Sequence, residues 1–188
     1  MGFKYGKSSQ AVMDTVHPVL QITGLYLLED QDHSAIEGFR TKSRQDYYYA
    51  SGRTRPGNII TNVKWPNGNH NGIDGNLPSL AVHWRPYPWP TDLEDSKQEW
   101  KNLKRFYHLI GKIAGVFKML QIGEVIPDGF NIVSGGDWDD DNDLDDQHFN
   151  DLLHTELHGP SELIKESAQW KVEVGDDNWP WTLAKIQT

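Results

Sequence analysis

The sequence predicts one α+β domain, and three observations carry that reading. From about Asp92 to Leu120 apolar residues recur at helical spacing: Trp100, Leu103, Phe106, Tyr107, Ile110, Ile113, Phe117 and Leu120. Shorter runs alternate polar and apolar residues as a half-buried strand does, Leu153-His154-Thr155-Glu156-Leu157 among them. Helices and strands follow one another without the regular rhythm of parallel strand–helix–strand units. At 188 residues, 37% hydrophobic and 24% charged, the chain has the size and composition of one globular unit with a real core. No internal repeat or linker interrupts it. Residues 1–188 are therefore read as one domain, with 159–188 a C-terminal helix and aromatic tail packed on it.

Along the chain, residues 11–29 read as helix, with Val12, Val16, Leu20 and Leu27 apolar and Pro18 marking a break or a second start. His33 to Phe39 reads as a short strand. Thr41 can cap a helix that runs through Tyr49 and ends at Gly52. Residues 53–80 carry many Gly, Asn and Pro and read as loop. Leu80 to Trp84, Phe130 to Val133 and Leu153 to Leu157 read as strands, and Pro160 to Trp170 as a last helix.

Composition excludes several classes of function. With no cysteine there is no disulfide, thiolate metal site or thiol nucleophile, so any metal must be held by His, Asp or Glu. A net charge of -9 argues against nucleic acid as a partner, which needs a basic surface. The first residues, Met1-Gly2-Phe3-Lys4-Tyr5-Gly6-Lys7, lack the apolar stretch of a secretory signal. No apolar run approaches membrane-spanning length, so membrane insertion is not expected. Eight Trp and seven Tyr are many for this length, and several lie beside proline. Such residues either cover a small mixed core or wall a groove for an extended polymer.

Four stretches offer chemistry. In a strand, His154 and Glu156 share one face, while Asp151 just precedes it and could bend toward the same point. His70 lies in the turn-rich Asn67-Gly68-Asn69-His70-Asn71-Gly72, and His83 projects from the apolar Leu80-Ala81-Val82. Three imidazoles and one carboxylate suffice for a hydrolytic zinc site, with a fourth position left for water. The plain alternatives are a polar strand face, a surface turn and a satisfied core histidine. Arg40 ends a strand, and its planar fork suits a carboxylate. Asp137, Asp139, Asp141 and Asp143 place oxygens at alternate positions in the manner of a calcium loop, without the Gly and distal Glu of an EF-hand. A solvated acidic turn is the other reading.

Together these segments resemble phage endolysins of the zinc D-Ala-D-Ala carboxypeptidase and L-alanyl-D-glutamate peptidase type. The similar pieces occur in the family's order over roughly residues 3–158. They are Val16-His17-Pro18-Val19-Leu20; Ile36-Glu37-Gly38-Phe39-Arg40-Thr41 with Gln45; and Tyr49-Ala50-Ser51-Gly52-Arg53-Thr54 leading into Pro56 to Asn62. Then come His70, Ala81-Val82-His83 with Pro86-Tyr87-Pro88, Gly135-Gly136-Asp137-Trp138-Asp139, and Phe149 to Leu157.

The resemblance implies a Hedgehog/DD-peptidase-like zinc peptidase fold, a small antiparallel sheet with flanking helices. It implies one zinc with His70 as first ligand and His154 as last, Asp151 as catalytic base, and Arg40 as the positive helper for substrate or intermediate. The family's second ligand is an aspartate after Ala-Val; this chain has His83. Either His83 completes a three-histidine site, which is the preferred reading, or metal binding is impaired in a degenerate, non-catalytic wall-binding relative. Asp74, in an inserted loop, is a further candidate carboxylate. The implied activity is hydrolysis of the stem peptide of bacterial peptidoglycan, of the L-alanyl-D-glutamate endopeptidase type, with a D-Ala-D-Ala carboxypeptidase or dipeptidase as the alternative. The implied setting is a monomeric endolysin made in the host cytoplasm and let out to the wall by a holin, with zinc and, from the acidic run, calcium as metals.

Overall fold

The computed structural model describes residues 2–88, 96–141, 143, 150–175 and 180–184, and only the backbone of 96–102. Where one helix was expected over 11–29 there are two, α1 (Lys7–Met13) and α2 (Pro18–Leu27). Proline lacks an N–H and cannot continue a helix, but it suits a first turn. Pro18 therefore starts α2, and the N-cap His17 accepts from the Val19 N–H at 3.3 Å. α2 buries residues all round its circumference, so it lies inside the molecule, against the long helix and the C-terminal hairpin. At Gly24 an added Cβ would come within 2.5 Å of the Tyr5 hydroxyl and 2.7 Å of Trp84, so this helix position admits no side chain.

The remaining elements are β1 (His33–Glu37), α3 (Lys42–Ala50), a single 3-10 turn at Asn69–Asn71, β2 (Ala81–Pro86), α4 (Ser96–Ile122), β3 (Asn131–Gly135), β4 (Asp151–His158), α5 (Ser161–Ser167), β5 (Lys171–Val174) and β6 (Trp181–Ala184). Four strands form a sheet in the order β1-β2-β4-β3 with every neighbour antiparallel. The fold is α+β with a small antiparallel sheet, as the sequence predicts. In α4 the buried residues recur at Phe106, Leu109, Ile113, Phe117 and Leu120, the three- and four-residue steps of one helix face. Tyr107 and Ile110, expected on that face, line a slot against β3 instead. The expected start at Asp92 and the side chain of Trp100 lie outside the described residues.

One face of the sheet, with Ala35, Val82, Trp84 and Leu157, joins α2 and α4 in the core. The C-terminal segment closes it. Trp170 is buried, and β5 and β6 form a hairpin where the sequence predicts an aromatic tail. The Tyr26 hydroxyl donates to the Trp181 carbonyl at 2.7 Å and accepts from its N–H at 3.1 Å, tying that hairpin to α2. Trp84 and Trp170 thus serve the core, whereas Trp89 and Trp179 lie outside the described residues. The other face of the sheet carries the row Glu37–His83–His154, which are direct cross-strand partners.

Two expectations follow. Leu120 has no exposed surface, so Leu120→Ala should cost about 2–5 kcal/mol in urea unfolding. Ile122, 75% exposed, should tolerate alanine within about 0.5 kcal/mol. The second concerns pH. Burial pushes His17 and His33 from 6.5 down to about 4. Their folded values lie below the unfolded ones, so the unfolded chain takes up protons first. Their contribution is intact above about 6.5 and falls as pH drops toward about 4, by ~1.4 kcal/mol per unit for each ring. Denaturation of chelated protein across that window measures it. His17→Gln should lower the slope by about one proton's worth, and an unchanged slope would contradict the assignment.

Candidate metal centre

Each of the three histidines comes from a different element. His83 lies mid-strand on β2 and His154 opposite it on β4. His70 sits in the 3-10 turn, which is pinned from below: the Arg40 N–H donates to the His70 carbonyl at 2.7 Å, and Asn71 Nδ2 donates to the Arg40 carbonyl at 3.1 Å. Asp151 begins β4. It pairs with Gly135 although Ser134 already pairs with Thr155, so residues 152–154 arch out of register. The arch returns Asp151 to the site, with Oδ2 3.5 Å from His83 Nε2. An added Cβ at Gly135 would sit 2.3 Å from the Asp151 carbonyl, so the arch needs glycine there.

The inner nitrogens converge. His154 Nδ1 lies 3.3 Å from His70 Nε2 and 3.2 Å from His83 Nε2, and all three are within 4.8 Å of one another. A tetrahedral metal at about 2.0–2.1 Å from nitrogen spaces its ligands about 3.3–3.4 Å apart. Hydrogen-bond accounting points the same way. His70 Nδ1 faces the Gly38 carbonyl at 2.7 Å, and His154 Nε2 faces a Glu156 carboxylate oxygen at 2.8 Å. Those outer nitrogens donate, and in a neutral ring that leaves the lone pair on the inner nitrogen. Burial holds His70 well below 6.5 and His83 at about 4, so both rings are neutral near pH 7. Buried lone pairs aimed at one point repel unless a cation sits between them. The donor set fits zinc: nitrogen ligands, each outer nitrogen turned toward an oxygen acceptor.

Two carboxylates stand behind the histidines. Burial alone would raise Glu156, but hydrogen bonds from His154, Asn69 and His158 overrule it and hold the group at about 2. Glu37 is likewise opposed by burial and held low by Arg40, with His83 and Arg44 adding to it. Arg40 is buried. Its Nη1 donates to Gln45 at 3.1 Å and its Nη2 to Glu37, with the guanidinium 4.9 Å over the Tyr48 ring. Arg44 is half exposed at the mouth, its Nε 2.7 Å from Glu37. An open groove of about 490 Å³ is lined by these side chains and by Trp138, whose ring lies 5.0 Å from that of His154.

All five residues singled out in sequence for the zinc site, His70, His83, His154, Asp151 and Arg40, therefore line one groove. Asp74 does not line it; that residue occupies a tight turn at φ 53°. Sequence reasoning missed Glu37 and Arg44. Alternation from His33 and Ala35 puts Glu37 on the core side, but a bulge between Ala35 and Glu37 turns it to face His83. Glu156 carried a signal, since it shares a strand face with His154. In the acidic run Asp137, Asp139 and Asp141 converge, but Asp143 is outside the group, its N–H donating to Asp141 at 2.7 Å. Asp145 and Asp146 lie outside the described residues. Exposed acidic groups commonly cluster without an ion, and the run supports no calcium assignment by itself.

No known family model matches the chain. Among solved structures it is similar to the L-Ala D-Glu endopeptidase ChiX of Serratia marcescens, at 16% identity over 82% of this chain and 90% of that one, with a TM-score of 0.43.

The geometry makes a direct prediction. Protein purified without added metal should contain about one zinc per chain or take it up with a higher melting temperature. His70→Ala, His83→Ala and His154→Ala should each lose it. Elemental analysis decides, and a His83→Ala variant that retained full zinc would remove His83 from the ligand set.

Proposed function

We propose that the protein is a zinc-dependent peptidase of the peptidoglycan stem peptide, of the L-alanyl-D-glutamate endopeptidase type. The observation that carries the metal-dependent reading is the meeting of three imidazoles, with His154 Nδ1 3.2–3.3 Å from the other two, and a carboxylate 3.5 Å from His83, in an open groove. The substrate class rests on the order of the motifs that the chain shares with phage endolysins. As an endolysin the chain would be a monomer made in the host cytoplasm and admitted to the wall by a holin.

Zinc held by His70, His83 and His154 would supply Lewis-acid activation of the scissile carbonyl and of the attacking water. Asp151 is the proton acceptor, half-buried and close to the ligand nitrogens, and it later returns the proton to the leaving amine. Arg40 acts as a fixed positive charge in the groove wall, because both its terminal nitrogens are already engaged. Arg44, at the mouth with its terminal nitrogens unengaged among the described residues, is placed to meet a substrate carboxylate. Tyr48 and Trp138 give the groove flat apolar walls for an extended peptide.

Digestion of purified peptidoglycan with and without chelator, read by mass spectrometry, tests this. Cleavage between L-Ala and D-Glu is expected, and only with metal. Release of terminal D-Ala would instead assign a carboxypeptidase, and no cleavage by zinc-loaded protein would overturn the enzymatic reading. Asp151→Asn should keep zinc and lose about 10²–10⁴-fold in turnover. Near-parental turnover in the zinc-loaded variant would show that Asp151 is not the base.

A further inference from the structure

The three rings are not equivalent. His70 and His154 each have an acceptor behind them that decides where the proton sits: the Gly38 carbonyl at 2.7 Å and Glu156 at 2.8 Å. His83 has acceptors at both ends. Its Nε2 faces His154 Nδ1 at 3.2 Å and Asp151 at 3.5 Å, and its Nδ1 faces Glu37 Oε2 at 3.6 Å. A neutral imidazole has one proton to place. On Nε2 it would occupy the point where the three rings meet and leave the Nδ1 lone pair against a carboxylate. On Nδ1 it points at Glu37 and leaves Nε2 as a ligand.

Glu37 is held to this task. A bulge makes it the backbone partner of His83, although strict alternation would place it on the core face. Two guanidiniums pin its oxygens, Arg40 on Oε2 and Arg44 Nε at 2.7 Å from Oε1. The contact with His83 is longer than a hydrogen bond, so it acts through charge. Charge is also what the site lacks. Three neutral imidazoles bring no negative charge to a divalent cation, and Glu37 and Glu156 supply it one layer out.

We infer that Glu37 is the positioning residue that makes His83 a metal ligand, fixing its proton on Nδ1 so that Nε2 turns into the site. This rests on the metal-centre reading above. It also assigns the wall of the groove a second duty: the carboxylate that steadies Arg40 and Arg44 is the one that orients His83.

The test is a double-mutant cycle in zinc affinity, measured by chelator competition, with the metal-free melting temperature as an independent check of folding. Glu37→Gln should weaken zinc about 10–100-fold in the parent. In a His83→Asp background the same change should cost less than about threefold, because an aspartate has no tautomer to choose and carries its own charge. No loss in the parent, or equal loss in both backgrounds, overturns the inference. Should Glu37→Gln fail to fold, the imidazole ¹⁵N spectrum of the zinc-loaded parent decides. A His83 proton on Nδ1 supports the inference and one on Nε2 overturns it. A parent that binds no zinc overturns the metal centre itself and the inference with it. Zinc binding with additive losses overturns the inference alone.

Discussion

The register across β1, β2 and β4 is the constraint on which the site depends. Glu37, His83 and His154 are direct partners across three antiparallel strands, so their side chains rise from one face in one row. A slip of one residue would send His83 into the core and bring Val82 or Trp84 out. The core prevents that slip, because Val82, Trp84 and Leu157 are buried on the opposite face against α2 and α4. Hydrophobic packing on one side of the sheet thus fixes the chemistry on the other.

Two local departures from regular strand geometry complete the arrangement. The bulge in β1 rotates Glu37 out of the core face, and the arch at the start of β4 brings Asp151 back to the histidines. Without the first, the acid behind His83 would be replaced by Ile36. Without the second, Asp151 would lie three residues, about 10 Å, along the strand from His154. Bulges of this kind re-aim side chains at the cost of a few ladder hydrogen bonds. Here both lie beside the same cluster.

The site sets charges of both signs close together. The protein carries -9 overall, and the groove is lined by Arg40 and Arg44 together with Glu37, Asp151 and Glu156. Glu37 lies between these arginines and His83 and contacts both sides. Burial alone would neutralise such a carboxylate; its cationic neighbours keep it ionised. Arg40 and Arg44 thus stand on one side of Glu37 and the histidine cluster on the other, with this one acid joining the two.

The sequence by itself determined the fold class, most of the elements and which three histidines come together. Helical spacing in α4, alternation in β4 and the break at Pro18 are local properties, written in residues that are neighbours in the chain. The histidines were legible because three imidazoles in an ordered set of motifs are a specific signal. The C-terminal hairpin was not, because β5 and β6 alternate over only four residues each and gain their stability from packing on α2. Nor was the role of Glu37. Residues 37, 83 and 154 meet only through strand pairing, and a bulge reverses the side that alternation assigns. Which nitrogen of a histidine turns inward depends on the acceptor behind it, and that acceptor comes from another strand. Only the tertiary structure decides it.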